Sequence, residues 1–379
     1  MGPFKDGIYD SIAINGKDIT LTIDSKLQQY GEYLMKGKRG GIIALEPSTG
    51  EILALITSPS YDPNMMVGRV RSPNSVKLIG DTINKPMYDR GLKGTYAPGS
   101  PFKLVNALIG LQEEVIDEGT HFYCNGGYRY GNRKKEFMKC HCDIYGKPIQ
   151  LNTAICNSYF ANTYKRIIEK NNNSTNGMNN WSTHVKSFGL GNYLGYDLPE
   201  GDKGLIPNGD YYSNMYKYRW NASTNISNAI GQGEVLTTPI QLANVTAAIA
   251  NRGYFYTPHV VKRIENKAIT DSAFTIAKQT TIDKKHFDPI IEGMHEVFKT
   301  GTAKWVNIKG IDIVGKTGTS ENFMRLDGKK IKLPSLLIEK YLTGIVKRKW
   351  IEDRMLKTDL SSIYQSQILA PKKFETGTK

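Results

Sequence analysis

Apolar and polar positions recur along this 379-residue chain in a pattern that predicts strands towards both ends and helices between them. Asp18-Ile-Thr-Leu-Thr-Ile-Asp24 alternates as a short strand does, and Lys26 to Lys36 follows at helical spacing. Two apolar runs, Gly41-Ile-Ile-Ala-Leu-Glu46 and Glu51-Ile-Leu-Ala-Leu-Ile-Thr57, flank the turn residues Pro47-Ser-Thr-Gly50, which predicts a β-hairpin apolar enough to lie centrally. Tyr96-Ala-Pro-Gly99 then breaks the chain, and Pro101 to Leu111 carries apolar residues at helical spacing. Proline suits the first helical position and serine the N-cap, so Ser100 is expected at a helix N-terminus. Further helices are expected over 152–170, over 240–251 closing at Gly253, and over 286–299 closing at Gly301. Ile311 to Val314 reads as a strand running into Gly315-Lys-Thr-Gly318, and the Asn-, Gly- and Tyr-rich stretches 171–180 and 197–221 read as loops. Strands from both ends with helices between them predict one sheet built from distant segments, an α/β (α+β) plan.

Composition adds little to this except at the level of charge. With 39% hydrophobic and 23% charged residues and no internal repeat, the chain reads as globular, and its length fits one large domain with appendages as well as two domains. A net charge of +14 would by itself suggest nucleic acid. The excess falls instead in runs such as Arg133-Lys134-Lys135 and Lys347-Arg348-Lys349, without zinc-finger, RNA-recognition or basic-zipper spacing. No nucleic acid partner is expected; a solvated face, or attraction to acidic wall and lipid head groups, is. No run approaches the roughly 18 to 20 apolar residues that span a bilayer, and Met1-Gly2-Pro3 does not begin a signal peptide, so the chain as it stands is expected to be soluble.

The chemistry starts from Ser100-Pro-Phe-Lys103, where helical spacing puts an amine on the face of a hydroxyl. Serine needs a base to become a nucleophile, and an ordinary lysine is neutral in only about one molecule in 2,500 at pH 7. Lys103 must therefore be perturbed, by burial or by a second cation, for which Lys316 is the candidate. In Lys316-Thr317-Gly318-Thr319 the glycine lets substrate backbone approach closely while Lys and Thr offer donors to a carboxylate. Lys299-Thr300-Gly301-Thr302 repeats the same four residues but follows a helix, so its glycine is expected to close that helix.

Ser-x-x-Lys with Lys-Thr-Gly belongs to the penicillin-binding set of motifs. Gly40-Gly-Ile-Ile-Ala-Leu-Glu-Pro-Ser-Thr-Gly-Glu-Ile-Leu-Ala54, Tyr96 to Lys103, Ile230-Gly-Gln-Gly233 with Thr238-Pro-Ile-Gln-Leu-Ala243, and Gly315-Lys-Thr-Gly-Thr319 together resemble the elongation-type class B penicillin-binding proteins over residues 18–345. The resemblance implies a penicillin-binding transpeptidase fold, an antiparallel sheet of about five strands flanked by helices. It implies a transpeptidase domain over 18–345, a remnant of a preceding pedestal or linker over 1–17 and a basic tail over 346–379. It further implies a serine D,D-transpeptidase in which Ser100 attacks the penultimate D-Ala of a peptidoglycan stem peptide, with Lys103 as base and Asn157 as the polar partner from the family's Ser-x-Asn motif. Lys316, Thr317, Gly318 and Thr319 would bind the substrate or β-lactam carboxylate, with Ser158 beside them, and the N–H groups of Ser100 and Thr319 would form the oxyanion hole. Implied with these are no cofactor for catalysis, the membrane glycosyltransferase of the elongation complex as partner, and a place on the periplasmic face of the inner membrane with the anchor lying elsewhere.

The sequence also departs from that family. At the second motif Ala154-Ile-Cys-Asn-Ser-Tyr-Phe160 can be aligned with Ser158 as the motif serine and Phe160 in place of Asn, or with Asn157 as the motif Asn and Ile155 in place of Ser; about three residues are missing. After Lys332-Leu-Pro334, the stretch Ser335 to Leu342 resembles the family's C-terminal helix, so two strands are expected to be absent, as though segments had been closed up. Cys124, Cys140, Cys142 and Cys156, with His141 between two of them, offer a structural zinc site, one or two disulfides, or free thiols. A serine β-lactamase is disfavoured because no Glu-x-x-Leu-Asn stretch supplies its deacylating water; a non-catalytic β-lactam sensor or wall-binding module on the same fold is the alternative to an enzyme.

Overall fold

The computed structural model describes residues 14–134, 136–140, 142, 146–151, 156–199, 201–306, 312–320, 323–326, 329–332 and 339–345, the last three runs by backbone alone. Most of the expected remnant 1–17, the expected tail 346–379, His141 and Ile155 lie outside the described residues.

The chain opens with β1 (Ile19–Leu21) and α1 (Ser25–Met35), which Asp24 caps by accepting from the N–H groups of Lys26 and Leu27. The expected hairpin follows as β2 (Gly40–Leu45) and β3 (Ile52–Ser58), antiparallel with Ile42 opposite Ile56. Next come α2 (Arg71–Gly80) and α3 (Phe102–Gln112), the latter buried on nearly all sides. Four short strands, β4 (Phe122–Tyr123), β5 (Gly127–Arg129), β6 (Phe137–Lys139) and β7 (Pro148–Ile149), form two antiparallel pairs, with β5–β6 lying in sequence between the strands of β4–β7. Then run α4 (Asn157–Glu169), α5 (Ser174–Ser187), α6 (Gly209–Met215) and α7 (Pro239–Ala250). The small elements β8 (Tyr254–Phe255), β9 (Val261–Ile264), β10 (Lys267–Ala268), α8 (Ser272–Thr275) and β11 (Lys278–Gln279) lead into α9 (Phe287–Lys299). The last described elements are β12 (Val314–Ser320), β13 (Phe323–Leu326), β14 (Lys329–Lys332) and β15 (Glu339–Ile345).

Helix α7 packs against both β2 and β15, α1 against β3 and α9 against β12, so an early and a late strand meet on α7. Among the described residues the expected five-stranded sheet shows as two antiparallel pairs, β2–β3 and β12–β15. Two expectations are corrected. Strands do follow the Lys-Thr-Gly strand: β13 and β14 form a hairpin, and β15 returns along β12 with Lys316 opposite Thr343. Of the stretch 335–342 that resembles a C-terminal helix, Glu339–Leu342 are strand, where Tyr341 favours the ladder and Gly344, just beyond, disfavours a helix. The stretches read as loops hold α5 and α6, and α5 is fixed by burying Met178, Trp181 and Val185 at helical spacing. The largest core cluster gathers α3, α4, α5 and α7, where Trp181 meets Phe102 edge-on at 5.9 Å and Tyr164 at 5.8 Å. Among the described residues no helix is long and apolar enough to cross a membrane.

Candidate active site

Ser100 lies one residue outside the position expected for it, because Pro101 takes the cap of α3. The first turn is wound by short-range bonds instead: Phe102 N–H donates to Gly99 C=O (3.0 Å), Lys103 N–H to Ser100 C=O (3.1 Å) and Leu104 N–H to Pro101 C=O (3.1 Å). Gly99 has φ +63°, a left-handed backbone that suits glycine. A Cβ on Gly99 would fall 2.5 Å from the carbonyl oxygen of Thr319, so the turn that carries Ser100 and the end of β12 meet backbone to backbone.

Lys103 is 2% exposed, and its Nζ donates to Asn157 Oδ1 at 2.8 Å. Asn157, the first residue of α4, is held in turn by its Nδ2 donating to Lys139 C=O at 2.8 Å. The Phe160 ring lies 5.3 Å from the same Nζ. Burial, reinforced by the nearby charge of Lys316, brings the Lys103 amine down to about 7, against a smaller upward pull from Cys140. About half of the molecules then carry a neutral base at pH 7, against about one in 2,500 for a free lysine. Lys316 is 7% exposed and donates to Thr317 C=O at 3.0 Å; burial brings it down to about 8. Thr319 is exposed and Gly318 buried, while Thr317 shares a 2.6 Å hydroxyl contact with Thr302. The structure thus brings Ser100, Lys103, Asn157 and Lys316 to one place: a hydroxyl, a buried amine brought to about 7, the amide that amine donates to, and a second buried amine.

The other predicted residues fall elsewhere. Ser158, next to Asn157 on α4, is 2% exposed; its N–H donates to Cys140 Sγ at 3.2 Å, and its Oγ accepts from the same sulfur at 3.4 Å. Lys299 pairs with Glu296 at 3.8 Å, while the N–H groups of Thr300 and Gly301 both close α9 on Glu296 C=O. Cys142 and Cys156 are joined as a disulfide, which takes two thiolates from the expected zinc set, and Cys124 and Cys140 are buried thiols. Two residues escaped the sequence reading. Thr302 touches Thr317, and Gln232 donates from Nε2 to Thr319 C=O at 3.1 Å. The phrase Gly231-Gln-Gly233 was the available signal for Gln232, since paired glycines mark a tight backbone turn.

The model of the family "Penicillin binding protein transpeptidase domain" matches residues 40–349. The peptidoglycan D,D-transpeptidase MrdA of Acinetobacter baumannii is 32% identical over 325 residues, covering 83% of this chain and 46% of that protein. The chain thus spans about half the length of the curated relatives it matches. Among solved structures, Pseudomonas aeruginosa PBP2 in complex with WCK 5153 superimposes with a TM-score of 0.71 at 30% identity, over 82% of this chain and 66% of that one. Helicobacter pylori PBP2 in complex with MreC gives 0.69 at 26% identity, over 86% and 60%. Matched over most of its length, and carrying the serine, lysine and Lys-Thr-Gly strand in one site, the chain belongs to the penicillin-binding protein transpeptidase family.

Proposed function

We propose that this chain is a peptidoglycan D,D-transpeptidase domain of the class B, elongation type, working through an acyl-enzyme on Ser100. The observation that carries the reading is Lys103: a buried lysine one turn from a serine, held by Asn157 and brought to about 7 by burial and by Lys316. Neutral Lys103 takes the Ser100 proton as Oγ attacks the penultimate D-Ala carbonyl carbon of a stem peptide. Collapse of the tetrahedral intermediate breaks the peptide bond, and the departing terminal D-Ala takes up the proton. The amine of a neighbouring stem then attacks the ester, forms the cross-link and returns the proton and Oγ to the enzyme. Protonated Lys316, with Thr317 and Thr319, receives the substrate carboxylate. A β-lactam follows the first step only, because its leaving nitrogen stays tethered to the acyl group.

By the same likeness the partners are stem peptides, β-lactams, a membrane glycosyltransferase of the elongation complex and an MreC-type protein, and the place of action is the periplasmic face of the inner membrane. Fluorescent penicillin should label the intact chain covalently, and Ser100→Ala should abolish labelling; persistent labelling would sink the assignment. Repeated turnover of a thioester or peptide substrate separates the enzyme from a sensor, which acylates once and stops.

For the cysteines we propose a zinc staple in the reduced state. The four Sγ atoms lie within 4.8 Å of one another, and sulfurs on a tetrahedral zinc sit about 3.8 Å apart. Cys124, Cys140, Cys142 and Cys156 would hold the ion as thiolates, and its role would be to tie β6 to the start of α4. Reduced protein should then carry about one equivalent of zinc by elemental analysis; a reduced, folded, metal-free protein would refute the staple.

A further inference from the structure

Resting on the transpeptidase reading, we propose that Gln232 is a positioning residue for acylation, fixing the end of β12 against the turn that carries Ser100.

Its side chain reaches across 87 residues of sequence to donate to Thr319 C=O at 3.1 Å. That carbonyl belongs to the residue whose N–H is expected to face the developing oxyanion, so a hydrogen bond on one side of Thr319 sets where its backbone stands. The flanking backbone has little freedom to do so unaided. Gly231 C=O accepts from Gly99 N–H at 2.7 Å, and a Cβ on Gly231 would fall 2.3 Å from Gly99 C=O. Gly231 and Gly233 both stand at positive φ, +67° and +79°. Three chain segments therefore meet at main-chain distance: the turn before α3, the Gly231-Gln-Gly233 turn and the end of β12. Gln232 supplies the side-chain clamp between the last two.

The turn that carries Gln232 is itself anchored on the nucleophile helix. Asn106 of α3 donates to Asn228 C=O (3.1 Å) and Ala229 C=O (3.0 Å) and accepts from Trp181 Nε1 at 2.8 Å. Asn228 donates to the hydroxyls of Tyr164 (3.3 Å) and Tyr212 (2.7 Å), and Tyr212 donates to Glu234 at 2.7 Å. These amides and hydroxyls are buried, so the network is rigid where Gln232 begins. Gln232 itself is only half-buried, which makes a role in the core unnecessary to explain it. Its geometry acts on the substrate through Thr319, and an ångström-scale displacement of a reacting group is costly to rate.

The test uses the second-order rate of labelling by fluorescent penicillin, measured on the folded fraction of wild type, Gln232→Ala and Gln232→Glu from pH 5 to pH 8, alongside melting temperatures. Gln232→Ala should acylate about tenfold or more slowly at a near-unchanged melting temperature, with a deficit that is flat in pH. In Gln232→Glu the ionised carboxylate sets acceptor against acceptor at Thr319, whereas the protonated acid can donate. Its rate relative to wild type should therefore recover towards pH 5, a signature that a merely structural role would not give. Labelling of both variants at the wild-type rate, or a deficit that follows only the loss of folded protein with no recovery for Gln232→Glu at low pH, overturns the proposal and leaves the transpeptidase reading standing. A wild type that penicillin does not label overturns that reading, and this one with it.

Discussion

At the scale of single residues, the site depends on two lysines whose charges oppose each other. On the proposed mechanism Lys103 must be neutral to act as base and Lys316 charged to hold a carboxylate; burial, joined for Lys103 by the Lys316 charge, brings them down to about 7 and about 8. Acylation should therefore rise as pH climbs through about 7 and fall again as it passes about 8, a narrow bell whose limbs belong to the coupled pair. The sign of the coupling gives a sharper prediction. Removing the Lys316 charge removes a repulsion that holds Lys103 down, so Lys316→Ala should carry the rising limb to higher pH while also slowing acylation. A pH profile of penicillin labelling checks this; a limb that stays put would mean that burial alone perturbs Lys103. These residues were legible in the sequence because Ser-x-x-Lys and Lys-Thr-Gly are local spacings fixed by one turn of helix and one strand. The partner of Gln232 was not legible, since it lies 87 residues away, although the flanking glycines mark its turn; nor were the bonds of Ser158 to Cys140, whose sulfur lies 18 residues away in sequence.

At the scale of elements, the hairpin β2–β3 and helices α3, α7 and α9 were readable because pattern and punctuation agree. Helix α7 is the clearest case. Thr238 Oγ1 accepts from Gln241 N–H and Gln241 Oε1 from Thr238 N–H, a reciprocal capping box with Pro239 in the first turn. Thr238→Ala removes one arm of this box at a buried site, and should lower stability by about 1–2 kcal/mol, read as a lower urea midpoint. Because α7 touches both β2 and β15, the loss should weaken the joint between the chain's two ends; an unchanged midpoint would show that packing alone fixes the helix. Where punctuation and pattern disagree, the reading failed. Helix α5 begins in polar Ser174-Thr-Asn-Gly177 and declares itself only through Met178, Trp181 and Val185, which tertiary burial selects. Strand β15 overlaps, at Glu339–Leu342, the run that resembles the family's C-terminal helix, and its pairing with β12 decides otherwise. A ladder partner is not visible in a window of neighbouring residues.

At the scale of the whole molecule, distant helices are tied by one carboxylate. Glu113 closes α3 and receives His184 Nε2 of α5 at 2.9 Å and Lys170 Nζ, at the end of α4, at 3.0 Å. Through the other nitrogen of His184 the chain of contacts reaches Thr281 at 2.6 Å, just before α9. Burial alone would raise the Glu113 carboxyl, but hydrogen bonds from His184, Lys170 and Asn180 outweigh it and bring it down to about 2, against an ordinary 4.5. A carboxyl depressed in the folded state contributes stability that is fully present above about 4.5 and is lost as pH falls towards about 2. The chain's net charge of +14 will itself grow as other acids protonate, and this self-repulsion destabilises any variant in acid. A difference between two proteins of nearly equal charge isolates the local link from that background. Glu113→Gln should be less stable than wild type at pH 7, and the gap between their urea midpoints should narrow as pH falls from about 4.5 towards 3. A gap that stays constant with pH would assign the loss to packing and show that the Glu113 charge contributes nothing to holding α3, α4 and α5 together.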